Sequence, residues 1–375
     1  MFTPRYPDFR GENRLWRNNF SPVTQLARCL LKYIAQVHQK NGMGDGSIKQ
    51  DLETALQQVA RTQFACLPTP LMRLHNLERQ LGYDGLYIKR DDLTGLGPGG
   101  NKLRSLEFIV GEAAAKGRVT LIASGPLQSN LCTLAAAACA SAGLRCVLVH
   151  NGAEPEHPTG NVLLNQLLGA QSHYIGNVSA QERTDYVHQL AQSLSAHCNP
   201  YVIENGATTG TGALGYTNAA LELAGQFEQQ GLRDVTLFAP GGNGGVATGL
   251  IYGNALLGFP FRVVIISVED DRDTLRDHIL HTISELQEVL GLPFQHQLED
   301  ACILDDSYRG AGWGANTPES SRIIPDFART EGILLENVYN SKVMVGMQDY
   351  IQKRKISGPV CYLHTGGFGS LFAQY

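Results

Sequence analysis

Gly99-Gly100-Asn101-Lys102-Leu103-Arg104 joins a strand-like run at 86–90 to an amphipathic segment at 103–116. The glycine-rich turn opens a helix and sets a lysine near its first position, where the helix dipole disfavours a cation. Such an amine gives up its proton more readily, and a free amine is what attacks a carbonyl to form a Schiff base. Lys102 is therefore a candidate covalent anchor. The plainer alternative is an exposed lysine beside a turn, and the downstream motifs weigh against it.

Around this stretch, short β-branched runs alternate with longer helical ones. The runs lie at 86–89, 119–123, 146–150, 173–175, 201–203, 235–239, 263–268 and 360–363. Apolar strands separated by helices predict parallel sheets covered on both faces, so the class is α/β. Several strands end in glycine or hydroxyl clusters, at the carboxyl edge where ligands bind in such sheets. Residues 1–60 read instead as a helical extension, with apolar positions at helical spacing over 23–37 behind the cap signal Ser21-Pro22 and a second helix over 48–59. That extension is expected to pack on the main body or on a second subunit.

Three strand-to-helix turns are candidates for ligand contact. In Ser124-Gly125-Pro126-Leu127-Gln128-Ser129-Asn130 the free N–H groups of the following helix form an anion site, although Ser129 and Asn130 serve equally well as simple caps. The second turn is Glu204-Asn205-Gly206-Ala207-Thr208-Thr209-Gly210-Thr211-Gly212. The third, Pro240-Gly241-Gly242-Asn243-Gly244-Gly245, is the most specific, because four glycines in five residues let a backbone close around a phosphate. No Gly-Lys-Ser/Thr follows it, and the dinucleotide spacing is absent, which argues against a P-loop and against a nicotinamide-dependent oxidoreductase. A mononucleotide-sized phosphate fits better. A last group holds Tyr308, Trp313 between Gly312 and Gly314, Val338-Tyr339-Asn340-Ser341-Lys342, and His364-Thr365-Gly366-Gly367. Its aromatics are packing residues unless the lysine is functional.

Composition narrows the class further. At 375 residues the chain exceeds the size at which one core stops growing, so two domains are expected. A net charge of -5 with mixed signs gives no basic stripe, so nucleic acid is not an expected partner. No apolar run reaches the roughly 18 residues of a membrane span, and residues 1–17 lack the apolar core of a secretory signal. A cytoplasmic protein without membrane association is expected. The eight cysteines, at 29, 66, 132, 139, 146, 198, 302 and 361, form no C-x-x-C pair and read as reduced thiols. His278 and His281 lack a third ligand nearby, so a solvated helix face is expected there and no metal.

A lysine at a helix start together with a later tetraglycine cup suggests pyridoxal phosphate. The sequence here resembles the 1-aminocyclopropane-1-carboxylate deaminase and D-cysteine desulfhydrase family, of the tryptophan synthase β-like, fold type II pyridoxal phosphate enzymes. The resemblance rests on Pro68-Thr69-Pro70-Leu71, Tyr87-Ile88-Lys89-Arg90-Asp91-Asp92, residues 99–107, Gln128-Ser129-Asn130 and His364-Thr365-Gly366-Gly367, and leaves 1–60 outside. It implies two open parallel-sheet domains: a large one from 61–101 and 230–375 that holds the cofactor, and a small one from 102–229 that closes over the substrate. It also implies a homodimer. Lys102 becomes the Schiff-base lysine and the base that removes or returns the α-proton. Asn130 meets the cofactor's 3-hydroxyl, Gly241, Gly242, Asn243, Gly244 and Gly245 hold its phosphate, and Gln128, Ser129 and Asn130 bind the substrate carboxylate. Proton removal from opposite faces separates D from L substrates, and Lys102 and Ser129 are the candidates for it.

Three departures bear on chemistry. Val246 stands where the family commonly has a phosphate-binding hydroxyl. Asn340 replaces the deaminases' glutamate, and an amide cannot act as an anionic partner of the pyridine nitrogen; with Asn340 or Thr365 facing it, the ring is a weaker electron sink. Trp313 stands where the deaminases carry a tyrosine that assists ring opening, and an indole N–H only donates. Tyr308 and Tyr339 remain as acids. The expected function is α,β-elimination on a small β-substituted amino acid, a D-cysteine desulfhydrase-like carbon–sulfur lyase releasing pyruvate and ammonia. The rivals are the cyclopropane deaminase, a β-replacement synthase, and a pyridoxal phosphate-binding protein without turnover.

Overall fold

The structure, a computed structural model of the chain, describes residues 45–373 apart from residue 197. The helix expected at 23–37 and the first part of the extension lie outside the described residues. In chain order the helices are α1 (Asp45–Gln58), α2 (His75–Leu81), α3 (Lys102–Ala115), α4 (Asn130–Ala142), α5 (Gly160–Leu167), α6 (Ala180–Leu194), α7 (Gly210–Gln229), α8 (Gly245–Leu256), α9 (Arg272–Leu290), α10 (Leu298–Ala301), α11 (Pro318–Glu331), α12 (Asn340–Gln352) and α13 (Phe368–Leu371). The strands are β1 (Leu71–Arg73), β2 (Leu86–Arg90), β3 (Thr120–Pro126), β4 (Arg145–Asn151), β5 (Gln171–Tyr174), β6 (Tyr201–Val202), β7 (Thr236–Gly241), β8 (Arg262–Ser267), β9 (Ile303–Asp305) and β10 (Val360–His364).

The strands form two sheets, ordered β1-β2-β10-β7-β8-β9 and β5-β4-β3-β6. Every pairing is parallel except β1 with β2, an antiparallel edge. The short edge strands β1 and β9 carry no long apolar run, which is why the sequence pattern does not announce them.

Burial explains why the other strands read as continuous apolar runs. Successive residues of a strand point to opposite faces. In the larger sheet Leu237, Val263, Ile265 and Leu363 enter one core, while Phe238, Val264, Ile266 and Tyr362 enter the other. In the smaller sheet Leu121 and Leu148 face one cluster and Ile122 and Val149 the second. Both faces are covered by helices, so neither needs a polar alternation.

Helix α7 falls in the stretch 102–229, yet it packs in the core of the larger sheet, where Ala213, Tyr216 and Ala220 join Leu237 and Ile265. Its contact with α8 is close enough that a Cβ on Gly249 would lie 2.3 Å from the Ala213 carbonyl oxygen. Helix α1 buries Leu52, Ala55 and Leu56 in the same core. No helix among the described residues is long and apolar enough to cross a membrane.

Candidate active site

A cleft of about 300 Å³ opens between the carboxyl ends of the two sheets. Lys102, the first residue of α3, stands in its wall. Its position follows from two glycine turns that cross: Gly100 and Gly366 form an antiparallel bridge, and a Cβ on Gly366 would lie 2.6 Å from Gly100 Cα. The crossing brings the Asn101 N–H to the Thr365 carbonyl at 3.0 Å. Arg104 anchors the same helical turn. Its buried guanidinium makes two bonds of 2.8 Å to Asp91 and reaches Glu222 at 2.9 and 3.0 Å, so its charge is fully compensated. Lys102 Nζ donates to the Gly206 carbonyl at 2.7 Å. Burial pushes the amine down to about 8, against the upward pull of the Glu269 carboxyl. Burial, rather than the helix dipole of the sequence argument, is the main cause.

The N-terminus of α4 forms a second wall. Ser129 Oγ accepts the Cys132 N–H at 3.3 Å while the residue also lines the cleft, so capping and ligand contact coexist. Asn161 Nδ2 donates at 2.9 Å to both the Gln128 carbonyl and Asn130 Oδ1. Asn130 thus keeps its NH2 group for the cleft. The Gln128 side chain turns away, accepting the Asn161 N–H at 2.8 Å and donating to the Thr159 carbonyl at 3.2 Å, so Gln128 offers the cleft its backbone.

The glycine turn faces these walls from the larger sheet. Gly242, Asn243, Gly244 and Gly245 line the cleft. Gly244 is the N-cap of α8 at φ 97°, a conformation that favours glycine, and no side chain caps the helix. Its first N–H groups are therefore free for an anion. Gly241 does not line the cleft; it closes β7, where a Cβ would strike Leu275 and Ile265 at 2.6 and 2.7 Å. Thr208 Oγ1 is buried without a hydrogen-bond partner, 3.2 Å from where a Cβ on Gly245 would stand.

Asn340 and Glu336 define the far end. The buried Glu336 carboxylate accepts the N–H groups of Val338, Tyr339 and Asn340 at 2.7–2.9 Å, and also Asn340 Nδ2 at 3.0 Å. Asn340 Nδ2 donates again to the Gly366 carbonyl at 2.7 Å, and its Oδ1 accepts from Tyr362 Oη and the Thr365 N–H, both at 3.0 Å. All of its amide capacity is used within the protein; the Thr365 hydroxyl, which lines the cleft, also donates to Asn340 Oδ1 at 3.3 Å and keeps only its lone pairs unused. Trp313 donates its indole N–H to Tyr339 Oη at 2.9 Å. Lys342 fastens the loop that carries Trp313, its ammonium donating to the carbonyls of Arg309 at 2.7 Å, Gly312 at 2.8 Å and Val268 at 3.2 Å. Tyr308 is not in the cleft. Its hydroxyl donates to Asp349 at 2.6 Å and its ring packs on the second core of the larger sheet.

The stretch that carries this lysine, the uncapped glycine-rich helix start and the polar facing wall is matched over residues 62–366 by the model of one family, described as "Pyridoxal-phosphate dependent enzyme". The chain belongs to this family. This pyridoxal-phosphate dependent enzyme is 36% identical over 329 residues to a D-cysteine desulfhydrase of Klebsiella pneumoniae (strain 342), covering 85% of this chain and 98% of the relative. A Pyrococcus abyssi (strain GE5 / Orsay) protein provisionally named a 1-aminocyclopropane-1-carboxylate deaminase is 32% identical over 322 residues, covering 86% of this chain and 96% of the relative. A crystal structure of an ACC deaminase homologue superposes with a TM-score of 0.79 at 32% identity, over 86% of this chain and 96% of that one. The enzyme is of the ACC deaminase and D-cysteine desulfhydrase type.

The residues present fit pyridoxal 5'-phosphate. The uncapped start of α8 offers N–H groups to a phosphate, the orphan hydroxyl of Thr208 stands beside it, and Asn130 presents a free amide donor.

Two charged residues of this pyridoxal-phosphate dependent enzyme escape the sequence reading. Glu269 follows β8 and lines the cleft, with Oε2 buried and unpartnered. Burial, with Asp270 adding to it, pushes its carboxyl up to about 7, against Lys102, Arg183 and Lys342. The signal was available: Glu269 stands at the carboxyl end of a predicted strand. Arg183 lies inside an amphipathic helix and gives no such signal. Seven cysteines among the described residues are free thiols, and no cluster of metal-ligating residues is found there.

Proposed function

We propose that the enzyme catalyses α,β-elimination on a small β-substituted amino acid, as a D-cysteine desulfhydrase-like carbon–sulfur lyase. Cysteine and water would give hydrogen sulfide, pyruvate and ammonia. The observation that carries this reading is the complete use of the Asn340 amide by Glu336, Gly366, Tyr362 and Thr365, which supports the neutral Thr365 hydroxyl as the group that would face the ring nitrogen.

When bound, pyridoxal phosphate supplies an electron sink for charge at the substrate α-carbon. With a neutral hydroxyl rather than a carboxylate at the nitrogen, that sink is weaker. A weak sink suits a reaction in which a departing β-group relieves the charge directly. Lys102, with an amine titrating at about 8, is the base that takes the α-proton from one face. Ser129 is the candidate on the other, so the pair bears on whether D or L substrates react. Tyr339 accepts the Trp313 N–H and keeps its own O–H to protonate the departing group. The start of α4 takes the substrate carboxylate on its N–H groups. Helices of the smaller sheet close the cleft against water.

Incubating the reconstituted enzyme with both enantiomers of cysteine, chloroalanine and diaminopropionate, and with 1-aminocyclopropane-1-carboxylate, tests the reading. Pyruvate with ammonia is expected from one enantiomeric series. Production of 2-oxobutyrate from the cyclopropane substrate, without pyruvate from the others, overturns it.

A further inference from the structure

Two arginines are buried among the described residues, Arg104 and Arg183. Arg104 is neutralised by Asp91 and Glu222. Arg183 is 5% exposed, and among the described residues no carboxylate contacts it; the Glu269 carboxyl in the same cleft acts on it only at longer range. Its two hydrogen bonds go to neutral amides, from Nη1 to Asn151 Oδ1 at 2.7 Å and from Nη2 to Asn205 Oδ1 at 3.2 Å, and its Nε–H has no partner. A buried cation with no anion in contact is costly unless the working molecule brings one to it.

The two amides tell where that anion comes. Asn151 ends β4, opposite Pro126 of β3 in the sheet register, and Asn205 follows β6, the neighbour of β3 on its other side. A guanidinium held between them spans the carboxyl end of β3, where the chain turns into Gln128, Ser129 and the N-terminus of α4. Arg183 lines the same cleft as Ser129 and Asn130. The capping box at Ser179 fixes the start of α6 and so holds Arg183 at its inner face.

We infer that Arg183 is a specificity-determining residue that receives the substrate's α-carboxylate together with the N-terminus of α4. The inference rests on the cleft taking a small amino acid, as proposed above, but not on that substrate losing a β-substituent. It makes the enzyme selective for free amino acids over their amides or esters. The guanidinium replaces the carboxylate's hydration shell with a fixed cation, and an amide leaves that cation unpaired.

Alanine and alaninamide, in both enantiomers, have no leaving group and report binding alone through the change they cause in the cofactor's visible absorbance. In Arg183→Gln, alanine affinity is expected to fall about 30-fold, and alaninamide affinity to stay within about twofold. Arg183→Lys, which keeps the charge without the fork, should fall between, and it serves if the glutamine variant does not fold. Cofactor affinity, titrated separately, should not change. Equal losses for acid and amide, no loss for either, or a loss of cofactor affinity instead would overturn the assignment. Wild-type enzyme that binds neither compound would overturn it too. Alanine binding without pyruvate from any β-substituted amino acid would remove the elimination reading and leave this one standing.

Discussion

The amide of Asn340 donates to Glu336 Oε1 at 3.0 Å and so sits as a neutral cap on a buried carboxylate that burial holds above its ordinary range. Asn340→Asp would set a second carboxylate against the first and take away a donor. Destabilisation of about 3 kcal/mol is expected at pH 8, shrinking towards pH 5 as one of the two oxygens becomes protonated. Thermal unfolding across that range checks it. An effect independent of pH would mean that the amide's shape, and not its charge, matters.

Lys102 and Glu269 face each other electrostatically, with values of about 8 and about 7. Cofactor uptake by the apoprotein needs the free amine, so its rate should rise about tenfold per pH unit up to 8 and level off above it. The Glu269 carboxylate raises the lysine's value; Glu269→Gln should therefore shift that profile to lower pH. The same carboxyl holds its proton in the folded state between its ordinary 4.5 and about 7, so folding loses stability as pH rises through that window. The glutamine variant should exceed wild type by about 2 kcal/mol at pH 8 and match it at pH 4. A shift of the uptake profile to higher pH would contradict the arrangement.

Much of this was legible in the residues. The double-sided burial of β7, β8 and β10 writes itself as unbroken apolar runs, and the glycine crossings at Gly100 and Gly244 are needed wherever two backbones or a backbone and an anion meet. What was not legible depends on where a side chain turns. Asn340 and Tyr308 carry suitable chemistry in suitable motifs, yet one is consumed by Gly366, Tyr362 and Thr365 as well as its neighbour Glu336, and the other by Asp349; apart from Glu336 these partners lie 22 to 41 positions away, where no local spacing encodes them. Arg183 occupies a helix whose pattern is that of any amphipathic surface helix. Its inward course depends on Asn151 and Asn205, residues 32 and 22 positions away.

Thr208 separates a ligand contact from a structural one. Its hydroxyl is buried without a protein partner, so Thr208→Val should leave the apoprotein as stable as wild type or slightly more so. Loss of one hydrogen bond to a charged phosphate should instead weaken cofactor affinity about tenfold. Fluorescence titration with pyridoxal phosphate, beside thermal unfolding of the apoprotein, distinguishes the two. A lower melting point with unchanged affinity would assign the hydroxyl to the scaffold.

The two candidate tyrosines should part company in kinetics. Tyr308→Phe removes the bond to Asp349 outside the cleft, so about 1–2 kcal/mol of stability is expected to go while kcat stays within about twofold. Tyr339→Phe removes the proposed acid and leaves the Trp313 indole without its acceptor, and kcat should fall about 100-fold or more. Trp313→Phe probes the same pair from the other side. The indole N–H lowers the Tyr339 value against the burial that raises it, so its removal makes the phenol a weaker acid. A fall in kcat of about tenfold is expected, with any basic limb of the pH profile moving to higher pH. The loss should be smallest for substrates whose leaving group needs no proton, chloroalanine against cysteine. Equal losses for chloride and thiol would remove Tyr339 from the departure step and leave it a role in holding the cofactor.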